Sequence, residues 1–228
     1  IIGAGGVVRT AHLPVYQRLK FPVAGLYDIN PDASRETARR FGVSVVFASL
    51  ADAAASPDAI FDVAVPGDQI AGVLRELPRG SAVLIQKPMG EDLAGARAIV
   101  TICHDLGLVA AMNFQLRFSP NVLALCDLVA SKQLGDIVDI EVRLVVKQPW
   151  HLWKFLEGAP RLEILYHSIH YLDAIRALVG EPRGVYCRAV AHPSMPEFRD
   201  TRSTIILDYG DALRCSLLLN HTHEHEGT

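Results

Sequence analysis

Short apolar runs alternate with amphipathic stretches along the first half of the chain. This pattern is typical of buried parallel strands covered by helices on both faces of a sheet. One of the helices has clear ends: Asn30 can cap its N-terminus, Pro31 is favoured at the first helical position, and Gly42 can end it. We therefore predict a doubly wound α/β domain. Its predicted strands are Ile1 with Ile2, Val23 to Tyr27, Val45 to Phe47, Ile60 to Val65, Ala82 to Ile85 and Leu108 to Met112.

The pattern changes after Asn113, where one helix at about residues 121–132 is followed by longer strands. These strands alternate apolar and polar residues with a period of two, as half-exposed strands do. Successive strands after one helix indicate an α+β domain with a mostly antiparallel sheet. We place the domains at 1–115 and 116–228. The strands of the second domain are predicted at Val138 to Lys147, Val185 to Ala191, Thr204 to Tyr209 and Leu213 to His221.

Composition and charge exclude several classes of protein. Half of the 228 residues are hydrophobic, too many for a disordered tail. The 22 Lys and Arg residues against 25 Asp and Glu leave no basic excess for nucleic acid. The four cysteines form no CxxC pair, and no apolar run is long enough to cross a membrane. We expect a cytoplasmic protein without nucleic-acid or membrane partners.

Both ends of the chain interrupt a predicted element. Ile1 and Ile2 stand directly before a glycine cluster, whereas a buried strand has about five residues. The chain stops at Gly227 and Thr228, just after the last apolar alternating run. We therefore expect further residues upstream and a second domain that is incomplete at its C-terminal end.

A glycine cluster follows the first predicted strand, with Gly3 and Gly5 at the turn into a helix. A phosphate group there would approach backbone N–H groups and the positive end of the helix dipole. Asp28 ends the second strand, where a carboxylate accepts hydrogen bonds from the ribose of NAD and repels the extra phosphate of NADP. A turn or helix-capping role is the alternative for Asp28. Val8 stands at the third glycine position of the pattern, which suggests a wider separation of helix and strand.

Six motifs are spread over nearly the whole chain: the glycine cluster followed by His12, Leu13 and Pro14, the strand-end Asp28, VAVPGDQI, Gln86-Lys87-Pro88, NFQLRFSP and HSIHYLD. Together they resemble the glucose-fructose oxidoreductase, inositol dehydrogenase and MocA (Gfo/Idh/MocA) family. The resemblance implies a Rossmann domain, a C-terminal α+β domain with a large open sheet, and a dehydrogenase acting on CH–OH groups of sugars, inositols or related polyols. It places NAD, and less readily NADP, at Gly3, Gly5, Gly6, Val7, Asp28, Pro66, Lys87 and Asn113.

Lys87 follows the fifth predicted strand, where the family motif is Glu-Lys-Pro and this chain has Gln86. A lysine there can donate a hydrogen bond to the reacting oxygen and lower the pKa of a bound hydroxyl. The alternative is a solvated surface lysine. Because Gln86 removes a possible ion pair, the charge state of Lys87 stays open.

Tyr166, His170 and Asp173 occupy the positions of a second catalytic cluster of the family, on a helix. They follow by one residue a set of apolar positions at helical spacing and so share a neighbouring stripe that can border a cleft. The resemblance makes His170 a general acid or base, and Asp173 could orient its imidazole. The apolar set is Leu165, Ile169, Leu172 and Ile175.

Tyr166 stands where sugar dehydrogenases of the family have an aspartate, and a phenol has no charge at neutral pH. The difference would mean an altered substrate, a proton relay through the hydroxyl, or cofactor binding without efficient turnover. Glu163 could substitute for the missing carboxylate, or could be an exposed capping residue.

Further candidates for substrate binding are Arg117, Trp150 and Trp153, beside Lys87 and His170. Arg117 could instead tie the two domains together, and the tryptophans could stack on a sugar, pack in a core or contact another subunit. His221, His223 and His225 alternate along a strand. We interpret them as facing substrate or a second subunit, and we predict no metal site.

These observations predict an NAD-dependent oxidoreductase of sugars, inositols or polyols. The alternative is a dinucleotide-binding sensor or structural protein of the same fold with little or no turnover. Because no predicted helix covers one face of the second sheet, we expect a homodimer or homotetramer formed through that face.

Overall fold

The computed structural model describes residues 1–150 and 153–223. The chain divides into a first unit, Ile1–Asn113, and a second unit that begins at Phe114. The division lies two residues before the position that we expected from the sequence.

The first unit contains a parallel sheet, as predicted. Single bridges join Ile2 to both Tyr27 and Val63, and Leu26 to Val46. The first three predicted strands are thus reduced to isolated bridges, but their order places the first of them in the middle of the sheet, as in a Rossmann fold. The regular strands pair in the order β1-β2-β3 and are β1 (Ile60–Val63), β2 (Ala82–Ile85) and β3 (Val109–Met112).

The helices of the first unit show why the sequence folds in this way. The Asn30 side chain accepts hydrogen bonds from the amides of Asp32 and Ala33, and Gly42 ends the helix with φ 66°, both as predicted. A wide π-helical turn, Val8–His12, precedes the first helix, and Val8 is fully buried in it. The helices are α1 (Leu13–Leu19), α2 (Pro31–Phe41), α3 (Leu50–Ala54), α4 (Ile70–Arg75) and α5 (Leu93–Leu106).

Two apolar clusters form the core of the first unit. In the larger one, β1 and β2 contribute residues such as Val63 and Ile85, which pack against Leu74 of α4 and Ile99 of α5. The smaller one contains Val8, Leu13 of α1, Ala38 of α2 and Leu26 of the predicted second strand. The core fixes the strands, so their carboxyl ends are held in a defined row.

The second unit contains a sheet of four described strands in the order β4-β7-β6-β5. The β5–β6 and β6–β7 pairs are antiparallel, as predicted, but β4 and β7 are parallel. A parallel pair needs a long crossover, and the chain between β4 and β7 provides one that contains a helix. The elements are α6 (Pro120–Ala130), β4 (Asp139–Val145), α7 (Ile169–Val179), β5 (Gly184–Val190), β6 (Arg202–Asp208) and β7 (Arg214–Asn220).

The two faces of this sheet differ. One face packs against α7 through Ile175, Ile205 and Leu217. On the other face Tyr186, Ile206 and Leu218 are exposed. The α+β architecture with a mixed sheet therefore confirms the predicted fold class. Within the described part of the chain, no helix has the length and apolar character required to cross a membrane.

Candidate active site

The candidate residues of the first unit lie along one edge of its sheet. The amide of Gly3 donates to the Tyr27 carbonyl at 2.7 Å, and the amide of Asn113 donates to the Ile85 carbonyl at 2.7 Å. Since parallel strands end at the same edge, the residues that follow them form one row. This row, called here the strand-end row, contains Gly3, Asp28, Pro66, Gln86, Lys87 and Asn113.

The glycine turn has the space that a dinucleotide needs. Gly3 has φ 104°, and a Cβ there would lie 2.3 Å from the carbonyl oxygen of Ala64, so packing alone requires this glycine. A Cβ on Gly5 would meet nothing within 4 Å. Gly5 stands directly before the helix and Gly6 and Val7 begin it, and the first backbone N–H groups there have no intrahelical acceptor. The residues present therefore fit a diphosphate.

The carboxylate of Asp28 binds the backbone on both sides. One oxygen accepts from the Ala4 amide at 2.6 Å and the other accepts from the Asn30 amide at 2.8 Å. The turn role that we considered as an alternative is therefore present. The side chain remains partly exposed, so its other lone pairs can still accept from a ribose hydroxyl.

Lys87 is not a solvated surface lysine. Its side chain is half-buried, and this burial lowers the pKa of its amine to about 8. Its backbone amide donates to the side-chain oxygen of Gln86 at 2.8 Å, and Gln86 is buried. An amine with this pKa can hold or release a proton near neutral pH.

The sequence reasoning missed a buried polar group behind this edge. Nδ1 of His12 lies 2.7 Å from Oδ2 of Asp62, and the hydroxyl of Tyr16 donates to the same oxygen at 2.9 Å. Burial, followed by the charge of Asp62, raises the pKa of Tyr16. Nε2 of His12 faces the side-chain amides of Gln86 at 3.2 Å and Asn113 at 3.4 Å. In the sequence, the acidic Asp62 within the otherwise apolar run IFDV could have indicated this buried polar cluster.

In the second unit, Asp173 does not orient His170 as predicted. Its carboxylate is bound by Arg117, with Nε at 2.9 Å and a terminal nitrogen at 2.5 Å. The prediction was wrong because Arg117 lies on the turn Gln115–Phe118, which packs against α7. Arg117 thus ties this turn to the helix, and His170 lies edge-on to Phe114, with ring centres 6.1 Å apart.

Trp150 and Tyr166 are core residues. Trp150 is 1% exposed and Tyr166 is 7% exposed, and both pack with Leu162 and Phe198. The prediction that Trp150 offers a platform to a sugar is therefore wrong. The helix contains a π turn, Ile164–Ser168, which shifts the register assumed from the sequence and turns Tyr166 inward.

The structure excludes one of the two alternatives for Glu163 and contradicts the interpretation of His221. Glu163 is fully buried, not an exposed cap, and accepts a hydrogen bond from the Ser168 hydroxyl. Nε2 of His221 lies 3.1 Å from Glu163, so His221 faces the core and not a substrate or a subunit. His223 is exposed, and His225 lies outside the described residues. No group of metal ligands occurs among the residues described by the structure.

A model of the GFO_IDH_MocA family, described as an oxidoreductase family with an NAD-binding Rossmann fold, matches residues 1–114. The chain belongs to this family. The trans-1,2-dihydrobenzene-1,2-diol dehydrogenase of Sus scrofa is 34% identical over 158 residues, which are 68% of this chain and 42% of that enzyme. The D-xylose 1-dehydrogenase (NADP(+)) 2 of Haloferax volcanii is 24% identical over 217 residues, which are 92% of this chain and 65% of that enzyme. The chain thus spans less than two thirds of either Gfo/Idh/MocA relative.

A solved oxidoreductase from Thermotoga maritima has the same fold, with a TM-score of 0.87 and 17% identity. The match covers 99% of this chain and 72% of that one. Besides Val8 in the glycine pattern, Gln86 and Tyr166 depart from the motifs identified in the sequence. Both are buried.

Proposed function

We propose that the protein is an NAD-dependent oxidoreductase that transfers a hydride between nicotinamide and a CH–OH group of a sugar, inositol or related polyol. The observation that carries the proposal is the strand-end row, which joins an open glycine turn to a half-buried lysine. The two curated relatives support it, since their names specify a diol and an aldose as substrates.

Lys87 would handle the proton of the reaction. When bound, the nicotinamide ring accepts or gives the hydride. In alcohol oxidation the neutral amine of Lys87 accepts the hydroxyl proton while the hydride leaves the same carbon. In the reverse direction the ammonium donates a hydrogen bond, and then the proton, to the carbonyl oxygen. A pKa of about 8 makes both forms available near neutral pH.

Asp28 supports NAD as the cofactor. Its carboxylate lies at a strand end next to the glycine turn, where a 2′-phosphate would meet a negative charge. The name of the Haloferax relative specifies NADP, so the choice depends on local charge and not on the family. Gly3, Gly5, Gly6, Val7, Pro66 and Asn113 complete the proposed cofactor site.

In the second unit we assign His170 to the substrate. It is half-buried on α7, and its ring lies against Phe114. An imidazole titrates near neutral pH and can exchange a proton with a hydroxyl group. Arg117 is 42% exposed beside Asp173, so it can still donate to a substrate oxygen.

The alternative function is that of a dinucleotide-binding sensor with little turnover. Gln86 and Tyr166 favour it, because each replaces a carboxylate that the family motif contains. A sensor would bind the dinucleotide without catalysing hydride transfer, and this distinguishes it from an enzyme.

Turnover decides between the two functions. Purified protein is mixed with NAD and a panel of sugars, inositols and diols, and nicotinamide absorbance is followed. We expect at least one substrate to reduce NAD, and Lys87→Met to lower kcat about 100-fold or more while NADH still binds. The mutation of the exposed residue Lys132→Met is the control. NADH binding without any turnover in the panel would favour the sensor, and no binding would reject both.

A further inference from the structure

His12 and Asp62 are buried directly behind the strand-end row, and His12 contacts the buried Gln86 of that row. None of these three side chains has a part in the mechanism above. His12, Asp62 and Gln86 are 8%, 5% and 6% exposed. A buried polar group destabilises the fold unless it is hydrogen-bonded, so wherever two atoms of this cluster lie within hydrogen-bond distance, one must donate and the other accept. These donor and acceptor assignments show which ring nitrogen of His12 carries the proton.

The backbone of Lys87 fixes the orientation of Gln86. A backbone N–H can only donate, so the atom of Gln86 at 2.8 Å from it must be the side-chain oxygen. The NH₂ group of Gln86 then faces Nε2 of His12 at 3.2 Å. Since an NH₂ group donates, this ring nitrogen must be the acceptor.

The same reasoning fixes the proton of His12. With Nε2 unprotonated, the proton is on Nδ1 and is donated to Oδ2 of Asp62 at 2.7 Å. Tyr16 donates to that oxygen too, and the amino group of Ile1 interacts with Asp62 by charge. His12 is therefore neutral: its Nδ1 donates to one carboxylate oxygen, and its Nε2 faces two amide donors.

Asn113 is the second amide that donates to this imidazole. Its nitrogen lies 3.4 Å from Nε2 of His12, so its oxygen is directed away from the ring. No residue in the described ranges 1–150 and 153–223 donates to that oxygen, and the side chain is partly exposed. The oxygen is thus available to a donor group of a ligand at the strand-end row.

We propose that His12 is a positioning residue, which as the neutral Nδ1–H tautomer orients the amides of Gln86 and Asn113 at the strand-end row. Through Gln86 it holds the backbone at Lys87, and through Asn113 it presents an acceptor to the bound dinucleotide. The second role rests on the proposed function, whereas the tautomer does not. The π turn Val8–His12 supplies the local backbone that brings His12 inward.

The glutamate of the family motif would change this arrangement. In Gln86→Glu a carboxylate would accept from the Lys87 amide and also face Nε2 of His12. Because a neighbouring carboxylate favours the charged form of an imidazole, His12 would then tend to take a second proton on Nε2. The glutamine in this chain therefore keeps His12 uncharged.

The tautomer can be tested by NMR of the imidazole nitrogens in the ¹⁵N-labelled chain, with His12→Gln to assign the signal. We expect the neutral Nδ1–H pattern in the parent at pH 8, and a larger fraction of doubly protonated imidazole in Gln86→Glu than in the parent at the same pH. Asn113→Asp also places a carboxylate next to Nε2 of His12 and should likewise favour the doubly protonated imidazole. It replaces Gln86→Glu in this test if Gln86→Glu does not fold. Gln86→Met should keep the neutral tautomer. The proposal is overturned if the parent has an Nε2–H or a charged imidazole. It is also overturned if neither acidic variant increases the fraction of doubly protonated His12.

The positioning role is tested by NADH affinity. We expect His12→Phe to weaken NADH binding about 3–10-fold, as for the loss of one hydrogen bond, and to add nothing once Asn113 is alanine. Additive losses would show that His12 does not act through Asn113 and would overturn this role. If the parent binds no NADH, the proposed function fails, and the NMR result still decides on the tautomer.

Discussion

The amine of Lys87 lies at a strand end where water solvates its charge only in part, which is why its pKa is lowered to about 8. A lysine in water keeps its proton until roughly pH 10.4. At neutral pH a measurable fraction of Lys87 is therefore already neutral. The direction of the reaction decides which of the two forms is active.

The pH profile should follow this titration. Oxidation of the alcohol needs the neutral amine, so its rate should rise as the pH increases through about 8, and the rate of the reverse reduction should fall. Initial rates from pH 6 to 10 measure both. Lys87→Arg serves as the control, because a guanidinium keeps its proton throughout this range. An inflection near pH 8 that persists in Lys87→Arg would assign it to another group.

The cofactor preference depends on the charge of Asp28. Asp28→Asn keeps an oxygen that can accept one backbone N–H of the turn, but it removes the repulsion of a 2′-phosphate. We expect NAD to bind the parent more tightly than NADP, and the variant to reduce the ratio of the two dissociation constants about tenfold. Calorimetry measures all four constants. Asp32→Asn, on the exposed start of α2, should leave the ratio unchanged. Equal affinities in the parent would contradict the assignment.

At the residue scale, the sequence predicted the row of candidates in the first unit but not all their partners. Strand ends can be identified from apolar runs, and this was enough to place Lys87 and Asn113. The burial of Trp150 could not be predicted, because a tryptophan packs equally well in a core or on a ligand. The pair of Glu163 with His221 brings together distant parts of the chain, and no periodic pattern indicates such a contact.

At the scale of elements, local signals predicted regular helices well and irregular ones poorly. The cap at Asn30 and the glycine stop of α2 depend on neighbouring residues, and both were confirmed. The π turns Val8–His12 and Ile164–Ser168 depend on packing and have no local signature. They shifted two side chains, His12 and Tyr166, into the interior.

The pair of Arg117 with Asp173 should stabilise the second unit. Asp173 is 5% exposed and holds the guanidinium with both oxygens, so Asp173→Ala leaves the cation without its partner. We expect a loss of about 1–3 kcal/mol in the free energy of unfolding, measured by urea denaturation. Glu181→Ala removes the partner of Arg176 in an exposed pair and should leave the midpoint unchanged. Equal effects of both variants would contradict the structural role of Asp173.

At the scale of the whole molecule, the uncovered face of the second sheet should bind a second copy of the chain. The exposed apolar residues Tyr186, Ile206 and Leu218 lie on neighbouring strands of this face. Self-association would remove them from water. We expect light scattering to give a multiple of 24.9 kDa, and Leu218→Lys to reduce it. Val100→Lys, an exposed apolar position in the first unit, is the control. A monomeric parent would contradict the prediction.

The architecture was predicted more fully than the pairing of its strands. The four described strands of the second sheet begin and end within two residues of their expected positions. Hydrophobic alternation shows which face of a strand is buried but not which neighbour it pairs with. The parallel pairing of β4 with β7 was therefore missed, because it depends on the crossover that α7 provides.

This pairing affects the order in which the chain can acquire its structure. Strand β4 has β7 as its described neighbour, and every residue of α7, β5 and β6 is synthesised between them. On the ribosome, β4 therefore lacks this partner while the intervening chain emerges, and its backbone groups stay open to pairing with another chain. The first unit can meanwhile assemble its own strands. The period before β7 arrives is when a nascent chain most needs protection from aggregation, and the charges of Asp139, Glu141 and Arg143 along β4 provide some of it.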